Sequence, residues 1–265
     1  RTKRRGRLET RTCIDVEWND NRHSRDRWVG TMTTQRRFRG ILFDLDGVLY
    51  VDVQPVPGAA EVVRKIRDRG IACRFLTNTS TMALESLHQK LLELGLPVER
   101  NEIISAPQAA LRYLRQESRG RCCLLLSEDV KRDFSVVDQA DLDHADTIVL
   151  GDLGDELDYA LLNRIFNRLM QGACLIAIHR NRFWQTEQGL RMDIGGFVAA
   201  LEYCSGREAV VMGKPSPDFF RVALRDMGVQ AGDAALVGDD IEADVGGAQG
   251  VGIYGILVRT GKFRQ

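Results

Sequence analysis

Short apolar runs alternate with helically spaced apolar positions along the chain from residue 38 onwards. The run at 39–47 ends in a glycine turn, which is typical of a buried strand. Over 58–69 three apolar side chains, Val62 among them, are expected on one helical face, and over 84–94 leucines repeat at helical spacing. Further apolar runs predict strands at 71–77, 122–127, 147–151, 173–179, 209–212, 234–238 and 253–258.

This alternation of strands and helices determines the predicted fold class. Strand–helix–strand units with parallel strands are right-handed, and they cover both faces of a sheet with helices. We therefore predict a doubly wound α/β fold with a Rossmann-like parallel sheet. In such sheets the reactive groups collect beyond the carboxyl ends of the strands, so the residues that follow each strand carry the functional information.

Polar side chains follow four of the predicted strands. Two carboxylates end the first strand, a hydroxyl and an amide end the second, and an ammonium and an acidic run end two later ones. These residues are Asp44, Asp46, Thr77, Asn78, Lys214, Asp239 and Asp240, and Asp244 follows one helical turn further on. The residues after Asp46 also have structural alternatives. The later acids could be helix caps or surface charges, the hydroxyl and amide could serve a turn or a cap, and the lysine could lie in a solvated loop.

The five acidic side chains would repel one another if they converged without a cation. Two like charges about 4 Å apart cost about 4 kcal/mol at an effective dielectric constant of about 20. A hard divalent cation removes this penalty, and a donor set of oxygen atoms with room for water and phosphate suits Mg²⁺. The pattern therefore predicts a Mg²⁺ site, and Lys214 could hold a phosphate oxygen or neutralise a carboxylate beside it.

The order and spacing of these residues resemble the four motifs of the haloacid dehalogenase-like (HAD) hydrolase superfamily over residues 38–262. The resemblance implies that Asp44 is the nucleophile, which becomes an aspartyl phosphate, and that Asp46 is the general acid and base. An Asp at position 46 separates the phosphatases and phosphomutases of this superfamily from its dehalogenases and transport ATPases. The remaining implied roles are phosphate binding by Thr77, Asn78 and Lys214, Mg²⁺ binding by Asp44, Asp239 and the backbone carbonyl of Asp46, and support of the metal site by Asp240 and Asp244.

The spacing between the motifs predicts a two-part organisation. Thr77 follows Gly47 by 30 residues, which is enough for one helix and one strand, whereas Lys214 follows Asn78 by 136 residues. We therefore expect an inserted α/β cap domain in the second gap. This is the position of the type-2 cap of subclass IIA. Phosphomutases of the superfamily usually carry their cap in the first gap, so the position argues against a phosphomutase. The expected bounds are 105–190 for the cap, and 32–104 with 191–265 for the catalytic core.

Further segments resemble the group around phospholysine phosphohistidine inorganic pyrophosphate phosphatase within this subclass. They are residues 176–184, 200–203, 213–220, 238–249 and 258–264. Sugar-phosphate and nucleotide phosphatases of the subclass have Thr-Asn-x-Asp where this chain has His-Arg-Asn-Arg at 179–182. His179, Arg180, Arg182 and Trp184 cluster at the end of a predicted strand of the cap, which makes them candidates for contacting an anionic or planar leaving group. A surface loop with a packed Trp is the alternative.

Composition and charge narrow the class of protein. The 265 residues are 44% hydrophobic and 28% charged, which is typical of a globular protein. Lys+Arg and Asp+Glu number 37 each, so the charge gives no reason to expect nucleic acid as a partner. No apolar run reaches the length of about 18 residues that predicts a membrane span. Six cysteines without a C-x-x-C pair favour reduced thiols and a cytoplasmic location.

The balanced charge hides a basic stretch at the beginning of the sequence. Residues 1–31 hold nine Lys+Arg and five Asp+Glu and show neither helical nor strand periodicity. We expect this stretch to be a disordered leader, with Met32 as the initiating residue. A targeting arm or a binding tail are the alternatives, although a transit peptide would be poor in acidic residues.

The resemblance, with which the chemistry of these residues agrees, implies a Mg²⁺-dependent phosphatase that hydrolyses a small phosphorylated compound through an aspartyl phosphate. One alternative is a phosphotransferase that passes the phosphoryl group to an acceptor other than water. Another is a non-catalytic domain that binds phosphate or a protein, although binding alone needs no acid at Asp46. The resemblance also suggests a homodimer formed through the cap.

Overall fold

The computed structural model describes the strand Ile14–Asp15 and residues 37–117, 119–186 and 189–261. Apart from that strand, the leader predicted at 1–31 lies outside the described residues. In the part of the chain that is described, the helices lack the length and apolar character that a membrane span needs.

The elements follow one another in an order close to that predicted from the sequence. The strands are β1 (Ile14–Asp15), β2 (Arg37–Phe38), β3 (Gly40–Asp44), β4 (Tyr50–Val51), β5 (Gln54–Pro55), β6 (Ala72–Thr77), β7 (Ile103–Ser105), β8 (Cys122–Leu125), β9 (Thr147–Leu150), β10 (Cys174–Ala177), β11 (Phe183–Thr186), β12 (Gly189–Met192), β13 (Val210–Val211), β14 (Ala234–Gly238) and β15 (Tyr254–Leu257). The α-helices are α1 (Ala59–Asp68), α2 (Leu84–Glu93), α3 (Ala106–Glu117), α4 (Glu128–Lys131), α5 (Tyr159–Met170), α6 (Ile194–Ser205), α7 (Pro217–Met227) and α8 (Gly247–Gly250). A π-helical segment, Ile241–Gly246, leads into α8.

Two parallel sheets dominate the structure. Strands β15, β14, β3, β6 and β7 lie side by side in one parallel sheet, which we call the core sheet. Strands β13, β10, β9 and β8 form a second parallel sheet, which we call the cap sheet. Core-sheet strands come before and after the segment from α3 to β13, so we call residues 106–211 the inserted segment. Parallel sheets with helices between the strands confirm the predicted α/β class.

The inserted segment extends beyond residue 190, where the sequence analysis places the end of the cap. Its last strand, β13, pairs with β10, and α6 packs into the apolar cluster on one face of the cap sheet. The apolar run at 209–212 indicates a strand, but such a run carries no information about which of two sheets the strand joins. Pairing with β10 places β13 in the cap sheet and not in the core sheet.

Helix α1 has the predicted position but not the predicted buried face. Val63 and Ile66 are buried, whereas Val62 is 50% exposed. Adjacent residues of a helix lie about 100° apart, so with Val63 and Ile66 turned towards the sheet, Val62 lies at the edge of the apolar face. The apolar face that packs on the core sheet is therefore narrower than expected.

Apolar side chains pack on both faces of the core sheet and keep its strand ends in place. The central strand β3 is buried along its whole length. Residues of α1 and α2 pack in one cluster, and residues of α7 and α8 pack in another. Burial on both faces is typical of parallel sheets, and it holds the residues that follow β3, β6 and β14 together at one edge.

Two carboxylates of the inserted segment hold the first turn of α2. Asp129 accepts hydrogen bonds from the backbone N–H of Ala83 at 2.7 Å and from the hydroxyl of Ser86 at 3.0 Å. Asp133 accepts one from the N–H of Leu84 at 2.9 Å. The N-cap residue of α2 is an alanine, which has no capping side chain. The distant carboxylates therefore satisfy the first N–H groups of the helix and interact favourably with its dipole.

We expect Asp129→Asn to lower the free energy of unfolding by about 1 kcal/mol at neutral pH. Asparagine keeps an acceptor oxygen but loses the negative charge that strengthens these hydrogen bonds and interacts with the helix dipole. Burial raises the pKa of Asp129. Hydrogen bonds from Ala83 and Ser86 and the charge of Arg132 lower it by more than burial raises it, so the net pKa lies below the ordinary value of 3.8. The carboxylate therefore stabilises the fold above about pH 4, and this contribution is lost as the pH falls through the folded-state pKa.

Urea unfolding of the wild type and of Asp129→Asn, from about pH 7 to about pH 3, measures this contribution. The difference between the two proteins should shrink in acid. Asp143→Asn is the matched control, because the side chain of Asp143 is 70% exposed. A difference that grows on acidification would show that the carboxylate does not cap α2.

Candidate active site

Strand β3 delivers Asp44 to the carboxyl edge of the core sheet. It lies between β14 and β6, and Asp44 is its last residue, with 10% of its side chain exposed. The chain then turns at Gly47, whose φ of 90° lies in the left-handed region. A Cβ at this position would lie 2.1 Å from Asp239 Oδ2, so glycine lets the turn approach the second acidic motif. Asp46 lies in the same turn and is exposed.

The structure brings three of the predicted acidic residues together. Asp44, Asp239 and Asp244 are all buried, and one carboxylate oxygen from each lies within 4.8 Å of the others. Asp239 follows β14, and Asp244 lies in the π-helical segment. A Cβ at Gly238 would lie 2.3 Å from the Asp244 Cβ, so a glycine there makes room for this carboxylate. Three hard oxygen donors at this spacing fit a Mg²⁺ ion that completes its coordination with water and phosphate.

Lys214 lies between two of these carboxylates. Its Nζ is 2.5 Å from Asp44 Oδ1 and 2.6 Å from Asp244 Oδ1, and its side chain is 3% exposed. Burial lowers the pKa of this ammonium, but the two carboxylates raise it by more than burial lowers it. The net pKa therefore lies above the ordinary value, and Lys214 keeps its charge. Burial, together with Asp44, raises the pKa of Asp244 to about 6. With Asp239, the cluster places three acidic groups beside one ammonium, an excess of negative charge that a divalent cation would balance.

Asn78 holds the backbone of Lys214 on both sides. Its Nδ2 donates to the Lys214 carbonyl at 2.9 Å, and its Oδ1 accepts the Lys214 N–H at 2.8 Å. Nδ2 also donates to Asn181 Oδ1 at 3.0 Å, so both N–H donors of this amide are used within the protein. A Cβ at Gly213 would lie 2.3 Å from Asn78 Oδ1, so glycine permits this close approach. The amide predicted to bind phosphate therefore positions Lys214 in the structure.

Thr77, the last residue of β6, is connected to a buried tyrosine. Its hydroxyl accepts the N–H of Thr79 at 3.0 Å and lies 2.8 Å from the Thr79 hydroxyl. The Thr79 side chain is in turn hydrogen-bonded to Tyr50. Burial of Tyr50, together with the charges of Asp46 and Asp44, raises its pKa, so the phenol stays protonated. Tyr50 was not identified from the sequence, where its only signal is its place in the turn after Asp46.

Asp240 caps the π-helical segment. Its Oδ1 accepts the N–H of Glu242 at 3.0 Å and the N–H of Ala243 at 2.9 Å. Within the described ranges, the acidic residues whose oxygen atoms could share one cation are the three named above, and Asp240 is not among them. The structure therefore uses this carboxylate as a helix cap, the structural alternative to a place in the metal shell.

Two of the four candidate specificity residues connect the inserted segment to the core. His179 is 3% exposed, and its Nε2 is 3.2 Å from the hydroxyl of Ser80, which follows β6. Arg182 is exposed, and its Nη1 is 3.1 Å from Glu242 Oε1 in the π-helical segment. His179 is thus a buried contact between the two parts of the chain, whereas Arg182 makes an exposed one.

The other two candidates lie on the surface of the inserted segment. Arg180 Nη2 is 2.5 Å from Glu202 Oε2 of α6. Trp184 is 37% exposed and lies on β11, opposite Arg191 of β12. The contact of Arg180 stays within the inserted segment. The residue of this loop that reaches the Asn78 amide is Asn181, which the sequence analysis did not single out.

Two family models match the chain, one over its first core-sheet strands and the beginning of the inserted segment, and one from β13 onwards. The model described as haloacid dehalogenase-like hydrolase matches residues 41–141, and the model described as HAD-hydrolase-like matches residues 211–265. The first range contains Asp44 and Thr77, and the second contains Lys214 and Asp239. The residues of the acidic cluster and their lysine therefore lie within the matched ranges.

Similar proteins cover most of the chain. The haloacid dehalogenase-like hydrolase domain-containing protein 2 of Homo sapiens is 38% identical over 233 residues, which are 88% of this chain and 88% of the relative. The phospholysine phosphohistidine inorganic pyrophosphate phosphatase of Rattus norvegicus is 39% identical over 232 residues, which are 85% of this chain and 84% of the relative. The solved structure of a p-nitrophenyl phosphatase from Archaeoglobus fulgidus has a TM-score of 0.78 and 30% identity, and the match covers 86% of this chain and 88% of that one.

Proposed function

Because the chain belongs to the haloacid dehalogenase-like hydrolase family, we propose that it is a Mg²⁺-dependent phosphatase that acts on a small phosphorylated compound through an aspartyl-phosphate intermediate. The observation that carries this proposal is the buried cluster of Asp44, Asp239 and Asp244, in which Lys214 contacts Asp44 and Asp244. Phosphoryl transfer depends on positioning and charge neutralisation, and this cluster offers a nucleophile, an acidic metal site and a cation. The phosphatases among the similar proteins support this chemistry.

In the first step, the Asp44 carboxylate attacks the phosphorus of the bound substrate. The bond between phosphorus and the leaving oxygen breaks, and Asp46 gives that oxygen its proton. Asp46 is exposed in the turn beyond the buried Asp44, so its carboxyl group can face a leaving group while Asp44 faces the phosphorus. Lys214, 2.5 Å from Asp44 Oδ1, can neutralise charge on the phosphoryl oxygens.

In the second step, a water molecule attacks the phosphorus of the aspartyl phosphate. The ionised Asp46 accepts a proton from this water, the bond between phosphorus and the Asp44 oxygen breaks, and inorganic phosphate leaves. Asp44 is then ionised and Asp46 protonated, as at the start of the cycle. A carboxylate nucleophile thus divides one slow hydrolysis into two easier transfers.

The acidic residues of the cluster suit a Mg²⁺ ion. Asp44, Asp239 and the backbone carbonyl of Asp46 would hold it, and Asp244 would support this set from the π-helical segment. When bound, the ion supplies positive charge that attracts the phosphoryl oxygens and relieves the repulsion among the carboxylates.

We expect the full chain to release phosphate from p-nitrophenyl phosphate in the presence of Mg²⁺. An excess of EDTA should lower the rate by about a hundredfold or more, because a metal ion contributes several kcal/mol of charge stabilisation. Added Mg²⁺ should restore the rate. Equal rates with and without EDTA would contradict the metal requirement, and no phosphate release in either condition would contradict the proposed activity on aryl esters.

The natural substrate is proposed only as a class, a small phosphorylated compound. The screen should include phosphate monoesters, pyrophosphate and phosphoramidates such as phospholysine, because one similar protein is named for the latter two. Release of phosphate from each compound, measured with the wild type and with a variant of Asp44, separates enzymatic hydrolysis from the spontaneous breakdown of labile phosphoramidates.

A further inference from the structure

An amide from the inserted segment contacts the residue that holds Lys214. Asn181 lies in the loop after β10, a strand of the cap sheet. Its side-chain oxygen accepts a hydrogen bond from Asn78 Nδ2 at 3.0 Å. Asn78 follows β6 of the core sheet, so this hydrogen bond joins the two parts of the chain.

The contact with Asn181 favours the same orientation of the Asn78 amide that the Lys214 backbone favours. In that orientation, Nδ2 faces the Lys214 carbonyl at 2.9 Å and Oδ1 faces the Lys214 N–H at 2.8 Å. If the amide turned over, two acceptors would face each other and two donors would face each other. The Asn181 oxygen accepts only from a donor, so it favours the orientation that fixes both peptide groups of Lys214.

The backbone of Asn181 is itself held in place by the inserted segment. Its N–H donates to His179 Nδ1 at 3.4 Å, and its carbonyl accepts the N–H of Gly195 at 3.0 Å. A Cβ at Gly195 would lie 2.3 Å from the Asn181 carbonyl oxygen, so the start of α6 packs directly on this loop. His179 also contacts Ser80 of the core. The amide of Asn181 is therefore presented to Asn78 from a supported loop.

We propose that Asn181 is a positioning residue for Lys214. It acts through Asn78, which holds the Lys214 backbone so that the ammonium stays beside Asp44. This inference rests on the proposed phosphatase function. It adds that the inserted segment contributes to the chemical step, and not only to the recognition of a leaving group.

The first test compares Asn181→Ala and Asn181→Asp with the wild type, using p-nitrophenyl phosphate and Mg²⁺. Loss of one hydrogen bond that orients a reacting group should lower kcat about tenfold and change KM by less than about twofold. Asn181→Asp keeps an acceptor oxygen and should retain kcat within about twofold of the wild type. Asn163→Ala is the matched control, because Asn163 is an exposed asparagine of α5 in the same inserted segment.

The second test is a double-mutant cycle with Asn78→Ala. If Asn181 acts through Asn78, the variant with both substitutions should have the same kcat as Asn78→Ala alone. If Asn181 contacts the substrate instead, the two losses multiply and the effect falls on KM, which would overturn the inference. Wild-type kcat in Asn181→Ala would also overturn it.

The outcome for the wild type distinguishes this inference from the function on which it rests. A wild-type protein without phosphatase activity overturns both. An active wild type with unaltered Asn181→Ala, or with multiplying effects in the cycle, overturns the positioning role alone. Thermal unfolding of each variant checks that the folded protein is compared in every case.

Discussion

Replacing Asp44 by Asn should abolish phosphatase activity while leaving the fold intact. The substitution keeps the size of the side chain and an oxygen that can accept a hydrogen bond from Lys214, 2.5 Å from the native carboxylate. It removes the negative charge and the carboxylate nucleophile, so no acyl phosphate can form at this position. Removing a nucleophile from an active site costs several powers of ten, and we expect kcat to fall by at least about a thousandfold.

Two measurements examine this result. Steady-state hydrolysis of p-nitrophenyl phosphate gives the loss of kcat, and acid quenching of enzyme mixed with labelled substrate detects phosphate bound covalently to the protein. The wild type should trap label and Asp44→Asn should not. The control is Asp218→Asn, which changes a side chain that is 84% exposed. Trapped label in Asp44→Asn at the wild-type level would mean that another residue is the nucleophile.

The carboxyl-terminal ends of the strands were the most predictable part of this molecule. Asp44, Thr77 and Asp239 lie at or directly after the ends of apolar runs, and a buried parallel strand must end where its polar residues begin. Because the strands β3, β6 and β14 are neighbours in the core sheet, these residues are also neighbours in space. Local pattern and sheet topology therefore suffice to predict that they meet.

Short or irregular elements were not predictable in the same way. Strand β7, Ile103–Ser105, has three residues, which is too few for a period to be detected, and it joins the core sheet only because β6 offers an edge. The hairpin of β11 and β12 exposes Leu190 and Met192, so its apolar residues do not mark a buried face. Such elements are determined by their partners rather than by their own pattern.

The role of each polar residue within the site was less predictable than its position. An aspartate before a helix can cap it or bind a metal ion, and the sequence after β14 offers two such residues in succession, Asp239 and Asp240. The structure uses Asp240 as a cap and Asp239 in the acidic cluster. The contact between Asn78 and Asn181 joins residues 103 positions apart, and it depends on how the inserted segment packs on the core. No local pattern encodes such a contact.

Replacing Lys214 by Met should have the second large effect, on stability as well as on activity. Met has a similar length without the charge, so Asp44 and Asp244 would remain buried beside Asp239 with no ammonium between them. Removing one partner of a buried ion pair costs about 3–5 kcal/mol, because the remaining charge is left uncompensated. Lys214 also lowers the pKa of Asp244, so its loss should raise that pKa and make the protonated form more populated near neutral pH.

Urea unfolding with and without Mg²⁺ measures the effect on stability. The ion should stabilise Lys214→Met more than the wild type, because the variant has more uncompensated negative charge at the site and binds the cation more tightly. The double variant Lys214→Met/Asp244→Asn has one carboxylate fewer, so it should recover part of the lost stability but none of the lost activity. This double variant also keeps the test valid if Lys214→Met alone fails to fold. If the double variant were as unstable as Lys214→Met, the ammonium would not be offsetting carboxylate repulsion, and Lys214 would stabilise the fold through its packing instead.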